Sequence, residues 1–120
     1  MKILLVEDHS FFGNEINEYL VNKKHDVSYA ATYVKAVAAI KENGPFDFSL
    51  LDVLLQNGKT GIDIVSLFEA RLGRIMFITG CISEDVIKSI SPYSSATKRE
   101  VIWPKIDRFM NGEIVRISEY

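Results

Sequence analysis

The sequence predicts an α/β fold, in which a doubly wound parallel sheet carries helices on both faces. Five short apolar runs recur along the 120-residue chain, and between them apolar residues return at spacings of three and four, the period of a helix. A strand that is apolar at every position is typical of a parallel sheet, because both of its faces are covered by helices. The length suits one domain, so residues 1–120 are interpreted as a single unit.

The predicted strands and helices alternate from one end of the chain to the other. We predict strands at residues 3–6, 27–31, 48–53, 75–79 and 100–103. We predict helices at residues 10–23, 32–43, 62–72, 83–91 and 106–117, with Ser10, Thr32 and Ser83 as N-terminal caps. Gly112 interrupts the last of these, so the residues after about 112 are expected to form an irregular or truncated last helix.

The handedness of the strand–helix–strand connections restricts how the five predicted strands can be ordered in one sheet. Right-handed crossovers leave few topologies, and at this length the flavodoxin-like strand order 2-1-3-4-5 is the natural one. In sheets of this kind, ligands bind beyond the carboxyl ends of the strands, where the strand order reverses.

The composition excludes several classes of function. Apolar residues make up 48% and charged residues 25%, and the net charge of -2 provides no positive field to hold nucleic acid. The single cysteine forms no internal disulfide. No apolar run approaches the ~20 residues of a membrane span. The apolar stretch at residues 3–6 is too short for the core of a signal peptide, and acidic residues follow it directly. We therefore expect a cytoplasmic protein without direct nucleic-acid or membrane binding.

Polar side chains follow four of the predicted strands at the edge where ligands are expected. Glu7 and Asp8 follow the first strand, Asp52 ends the third, Thr79 ends the fourth and Lys105 follows the fifth. Taken singly, each has a structural interpretation: an acidic pair in a solvated turn, an ordinary strand threonine, a surface lysine. Asp52 is harder to explain in this way, because an ionised carboxylate within an apolar run is costly unless it has a partner or a function.

Together these side chains suggest phosphoryl-transfer chemistry assisted by a metal ion. Three neighbouring carboxylates repel one another, and a hard divalent cation such as Mg2+ relieves that repulsion through oxygen ligands. A carboxylate is also a nucleophile that can form an aspartyl phosphate. A hydroxyl such as that of Thr79 and an ammonium such as that of Lys105 could each bind a phosphoryl oxygen.

The ordered set of motifs resembles the receiver domain of bacterial response regulators in two-component signalling. The resemblance rests on residues 3–8, on Leu50-Leu51-Asp52, on Gly61, on Ile78-Thr79-Gly80 and on Lys105. It implies that Asp52 accepts a phosphoryl group from a sensor histidine kinase or a phosphotransfer protein. It further implies that Glu7, Asp8, Asp52 and the backbone carbonyl of Leu54 hold Mg2+, and that Thr79 and Lys105 assist. By this resemblance the chain is a signalling domain, not an enzyme.

The sequence departs from that family on its output side. Lys105 precedes Ile106 where the family has a proline, Ile102 occupies the position of a family aromatic residue, and residues 92–99 replace a compact turn. A receiver-like interaction module that no longer signals by phosphorylation is therefore a second interpretation. A phosphohydrolase with a nucleophilic aspartate is a third, although residue 54 is leucine where such enzymes carry a second aspartate. The output domain or partner and the oligomeric state stay open.

Overall fold

Five parallel strands form one sheet in the order β2-β1-β3-β4-β5, as predicted. The computed structural model describes residues 1–55, 58–80, 83–98 and 100–117. The strands are β1 (Lys2–Val6), β2 (Asp26–Ala30), β3 (Phe48–Asp52), β4 (Arg74–Thr79) and β5 (Ser94–Thr97). The apolar runs predicted the first four of these to within one residue, because a buried strand must be apolar on both of its faces.

Helices connect the strands and cover both faces of the sheet. They are α1 (Ser10–Asn22), α2 (Tyr33–Asn43), α3 (Gly61–Phe68), α4 (Glu84–Ile90) and α5 (Trp103–Met110), with a short 3-10 turn after α3 at Glu69–Arg71. Thr32 and Ser83 cap α2 and α4 as predicted. Ser10 does not cap α1: the ring of His9 accepts the N–H of Phe12 instead, and Ser10 is the first helical residue. Within the described residues, no helix has the length and apolarity needed to span a membrane.

Two apolar clusters lie on opposite faces of the sheet. Successive strand residues point to opposite sides, so Leu4 packs in one cluster and Leu5 in the other. The cluster of Leu4 also contains buried residues of α2, α3 and α4, and the cluster of Leu5 contains buried residues of α1 and α5. This sandwich fixes the strand ends that carry the polar residues.

The fifth strand lies earlier in the chain than its predicted position at residues 100–103. β5 has the sequence Ser-Ser-Ala-Thr, and all four residues are buried. Its side chains are small and mostly polar, so no apolar run in the sequence marks this strand. Val101, in the predicted strand, is 73% exposed, and Ile102 is buried at the beginning of α5.

The last helix stops well before Ile117. It ends at Met110, and Gly112 then adopts a positive φ of 102°, a conformation that favours glycine. Residues 113–117, here called the C-terminal segment, follow the outer edge of β5: the N–H of Ser95 donates to the carbonyl of Val115 at 2.9 Å. The helical spacing through Ile117 is therefore not realised, whereas the irregular chain expected after about residue 112 is present, because this segment bonds to the edge of the sheet instead.

Candidate functional site

Three carboxylates meet where β1 and β3 end. The two strands are neighbours, with Val6 opposite Leu51, so Glu7 and Asp8 emerge beside Asp52. One carboxylate oxygen from each of Glu7, Asp8 and Asp52 lies within 4.8 Å of the other two. Asp52 and Glu7 are 4% and 1% exposed, so two of the three acids are removed from water. The structure thus brings together the acids that the sequence placed at this edge.

Lys98 balances this acidic group. Its Nζ lies 2.7 Å from Oε1 of Glu7 and 2.9 Å from Oδ2 of Asp52. Lys98 directly follows β5, and its backbone N–H donates to the carbonyl of Thr79 at 2.9 Å, which continues the ladder between β4 and β5. The ammonium therefore reaches the acids from the end of the fifth strand.

The position expected for Lys105 was wrong. Lys105 lies in α5, where its Nζ is 2.8 Å from Oε1 of Glu100 and also donates to the carbonyl of Arg116. The error follows from the misplaced fifth strand, because the first lysine after the real β5 is Lys98. The interpretation of Ile102 depended on Lys105, and Ile102 instead is buried at the beginning of α5, four residues after Lys98.

Thr79 and Leu54 flank Asp52. Thr79 is the last residue of β4 and is 1% exposed, and its predecessor Ile78 pairs with Asp52 across the sheet. The N–H of Leu54 donates to Oδ1 of Asp52 at 3.3 Å. Gly61, the first residue of α3, is required here, because a Cβ atom would lie 2.3 Å from the carbonyl oxygen of Asp52.

Burial perturbs the acid–base properties of the site. Removal from water, helped by the nearby Glu7, raises the pKa of Asp52 to about 7, although Lys98 opposes the shift. Burial alone would lower the pKa of Lys98, but its hydrogen bonds to Glu7 and Asp52 outweigh that effect and raise it. A proton or a cation at Asp52 therefore stabilises the folded site at neutral pH.

The donor atoms suit a hard divalent cation. All three side chains offer carboxylate oxygens, the ligand type that Mg2+ prefers. Lys98 can offset one of their three negative charges, so a further positive charge is favourable. Binding of a cation would also stabilise Asp52 as the anion, because an adjacent positive charge opposes the effect of burial.

Two aromatic residues contact the site, and no motif in the sequence marks them as part of it. The ring of Phe12, near the beginning of α1, lies 5.4 Å from Nζ of Lys98, within the range of a cation–π contact. The hydroxyl of Tyr29 donates to the carbonyl of Glu7 at 3.3 Å. Their apolar spacing on α1 and β2 indicated only core packing, since contacts between distant residues leave no local pattern.

Solved structures similar to this chain are mostly response-regulator receiver domains. A two-component response regulator from Clostridium difficile has a TM-score of 0.80 and 16% identity, with 93% of this chain and 97% of that chain covered. The chain has the receiver fold. A CheY-like receiver domain from Methanospirillum hungatei has a TM-score of 0.76 and 20% identity, covering 92% and 90%.

One of these structures is described with ligands. It is a response regulator from Burkholderia pseudomallei with a phosphorylated aspartic acid, a calcium ion and citrate, with a TM-score of 0.77 and 18% identity. The match covers 89% of this chain and 64% of that one. No protein-family model matches the sequence, and no curated protein matches it at a significant level.

Proposed function

We propose that this chain is a phosphoacceptor receiver module of a two-component system, phosphorylated on Asp52. The observation that carries the proposal is the juxtaposition at one sheet edge of buried Asp52 with Glu7, Asp8 and Lys98. The receiver fold and the phosphorylated aspartic acid in the Burkholderia structure are consistent with it.

Asp52 acts as the nucleophile. A carboxylate oxygen of Asp52 attacks the phosphorus of the donor, and a phosphorus–oxygen bond to Asp52 forms. With a phosphohistidine donor the phosphorus–nitrogen bond breaks, and its electron pair stays on the leaving imidazole. With acetyl phosphate, acetate leaves instead. Asp52 must be ionised to attack, so its raised pKa makes the reaction depend on nearby positive charge.

Glu7, Asp8, Asp52 and the backbone carbonyl of Leu54 would hold Mg2+. The ion supplies charge neutralisation for the transferring phosphoryl group. Glu7 is held in position by the backbone N–H of His9, which donates to its Oε2 at 3.0 Å. One oxygen of each side chain lies within 4.8 Å of the other two, a spacing that suits shared coordination of one cation.

Lys98 and Thr79 bind the phosphoryl group once it is on Asp52. The ammonium of Lys98 already contacts Oδ2 of Asp52, so a short movement brings it to a phosphoryl oxygen. The hydroxyl of Thr79, at the end of the adjacent strand, donates a hydrogen bond to another phosphoryl oxygen. Lys98 takes the place that the sequence analysis gave to Lys105.

The proposed module works in the cytoplasm with a sensor histidine kinase or a phosphotransfer protein as donor. It is a switch that carries a phosphoryl group and not an enzyme that turns over a substrate. An output domain or a partner protein would read its state.

Intact-mass spectrometry tests the proposal. The protein is incubated with acetyl phosphate and Mg2+, and one phosphoryl adduct is expected. The adduct should disappear in Asp52→Asn and persist in Asp26→Asn, a matched change at an exposed acid. Chelation of Mg2+ with EDTA should abolish labelling of the parent protein.

Each outcome separates the two interpretations. An adduct that survives in Asp52→Asn would place the phosphoryl group elsewhere. A parent protein that stays unlabelled by acetyl phosphate and by a panel of histidine kinases would favour the interaction module that does not signal by phosphorylation.

A further inference from the structure

Lys98 sits in a turn that is closed by Glu100. The N–H of Glu100 donates to the carbonyl of Thr97 at 3.2 Å, and Oε2 of Glu100 accepts the N–H of Thr97 at 3.1 Å. One residue thus holds both backbone polar groups of Thr97. Because Thr97 directly precedes Lys98, these two bonds fix the direction in which the chain leaves β5.

The carboxylate of Glu100 is in turn held by Lys105. The two side chains are 2.8 Å apart and are 21% and 12% exposed, so the pair is largely removed from water. A charge at such a position is stable only with a partner. Lys105 therefore holds the Glu100 side chain against Thr97, and it also donates to the carbonyl of Arg116 in the C-terminal segment.

Lys98 and Lys105 contact different acids, and the hydrogen bonds between Glu100 and the backbone of Thr97 link the two contacts. Lys98 contacts the acids Glu7 and Asp52, whereas Lys105 contacts the residue that closes the turn around Lys98. Lys105 is anchored in the first turn of α5, and that helix packs its buried face into the core. The core therefore provides a rigid support for the turn.

We propose that Lys105 is a positioning residue, which holds Glu100 against Thr97 and thereby places the Lys98 ammonium between Glu7 and Asp52. Its consequence for phosphorylation rests on the proposed function. This role differs from the direct contact expected from the sequence, because Lys105 acts through Glu100, from which it lies 2.8 Å away. A loosened turn lets Lys98 sample other rotamers, and loss of alignment by about 1 Å can cost about a hundredfold in rate.

Three variants of the full chain test the proposal. Lys105→Met removes the charge but keeps most of the side-chain stem, Lys105→Arg restores a cation that can pair with Glu100, and Lys41→Met removes a charge from the exposed side of α2 as the matched control. Thermal unfolding and far-ultraviolet circular dichroism show whether each variant is folded.

The first readout does not depend on phosphorylation. Amide hydrogen exchange should become faster at Thr97 in Lys105→Met, while Leu50 in the centre of the sheet keeps its protection. The ammonium resonance of Lys98 in nitrogen–proton correlation spectra should shift or broaden in the same variant. Lys105→Arg should restore both signals, and Lys41→Met should leave both unchanged.

The second readout is the rate of labelling by acetyl phosphate with Mg2+. We expect a fall of about tenfold to a hundredfold in Lys105→Met, with recovery in Lys105→Arg. If Thr97 exchange and the Lys98 resonance stay unchanged in a folded Lys105→Met protein, the positioning role is refuted. If the parent protein is labelled and Lys105→Met is labelled equally fast, it is refuted as well.

The two proposals fail in different ways. A parent protein that is never labelled, but whose Lys98 signal still responds to Lys105→Met, removes the proposed function and keeps the positioning role. A variant that loses stability while the Lys98 signal stays unchanged makes Lys105 a structural residue only, and this overturns the inference.

Discussion

Removal of the Lys98 charge should destabilise the protein strongly, by an amount that follows from burial. Lys98→Met leaves Glu7 and Asp52 facing one another at exposures of 1% and 4% with their ammonium gone. Loss of one partner from a buried ion pair costs about 3–5 kcal/mol. The Lys98 side chain is itself 22% exposed, so we expect the lower end, about 3 kcal/mol in the free energy of unfolding at pH 8.

The pH dependence of this loss has a definite sign. The pKa of Asp52 is raised to about 7 in the folded protein, above its usual 3.8. Its proton therefore contributes stability that is full below about pH 4 and is lost as the pH rises through about 7. Removal of Lys98 raises this pKa further, so the deficit of Lys98→Met should be small in acid and grow toward alkaline pH.

Urea denaturation in EDTA measures these effects, and Mg2+ provides the complementary test. Added Mg2+ should recover part of the loss, because the cation replaces the missing counter-charge. Lys23→Met is the matched control, since its pair with Asp107 is exposed and should contribute little. The reasoning is refuted if Lys98→Met is as stable as Lys23→Met at pH 8. It is also refuted if Lys98→Met loses as much stability at pH 5 as at pH 8.

Three further predictions test the site and its support. Labelling by acetyl phosphate at low Mg2+ should accelerate as the pH rises through about 7, because Asp52 must lose its proton to attack, and saturating Mg2+ should move this transition to lower pH; a flat profile would contradict the raised pKa. Gly61→Ala should cost about 1–3 kcal/mol, since its Cβ would lie 2.3 Å from the Asp52 carbonyl, whereas Gly80→Ala meets nothing closer than 3.9 Å and should be tolerated in the same urea titration. Val115→Ala should cost about 1–2.5 kcal/mol, because Val115 is 2% exposed on the edge of β5, and Ile114→Ala, at 66% exposure, should cost little; equal values would mean that the C-terminal segment does not dock in solution.

The sequence was sufficient for the sheet order and for the three acids because both depend on strongly apolar strands. Leu50 and Leu51 are buried on opposite faces of β3, and such a run has one interpretation in a parallel sheet. Once β1 and β3 are located, adjacency brings Glu7 and Asp8 to Asp52 without any knowledge of side-chain contacts. The carboxylate chemistry of this cluster then suggested phosphoryl transfer with a metal ion, and the resemblance to receivers added a donor and a role for each residue.

The sequence was insufficient for the lysine because β5 is an edge strand built from small polar residues. Ser94 and Ser95 are buried, and the C-terminal segment bonds to both: the N–H of Val115 donates to Oγ of Ser94 at 3.2 Å, and that of Ile117 donates to Oγ of Ser95 at 3.2 Å. These partners lie more than 20 residues along the chain, so no local pattern reveals them. The hydrogen bonds that these hydroxyls accept offset the cost of removing them from water, a cost that makes buried serines unusual in a strand.

The same edge explains why two lysines had to be told apart by structure. A misplacement of β5 by six residues moves the next lysine from Lys98 to Lys105, and both choices put an ammonium after a strand. The structure separates them by what each charge neutralises: Lys98 offsets buried Glu7 and Asp52, and Lys105 offsets Glu100. The proposed positioning role connects the two lysines, because Lys105 holds the residue that bonds to Thr97, and Lys98, the next residue, reaches the acids at the sheet edge.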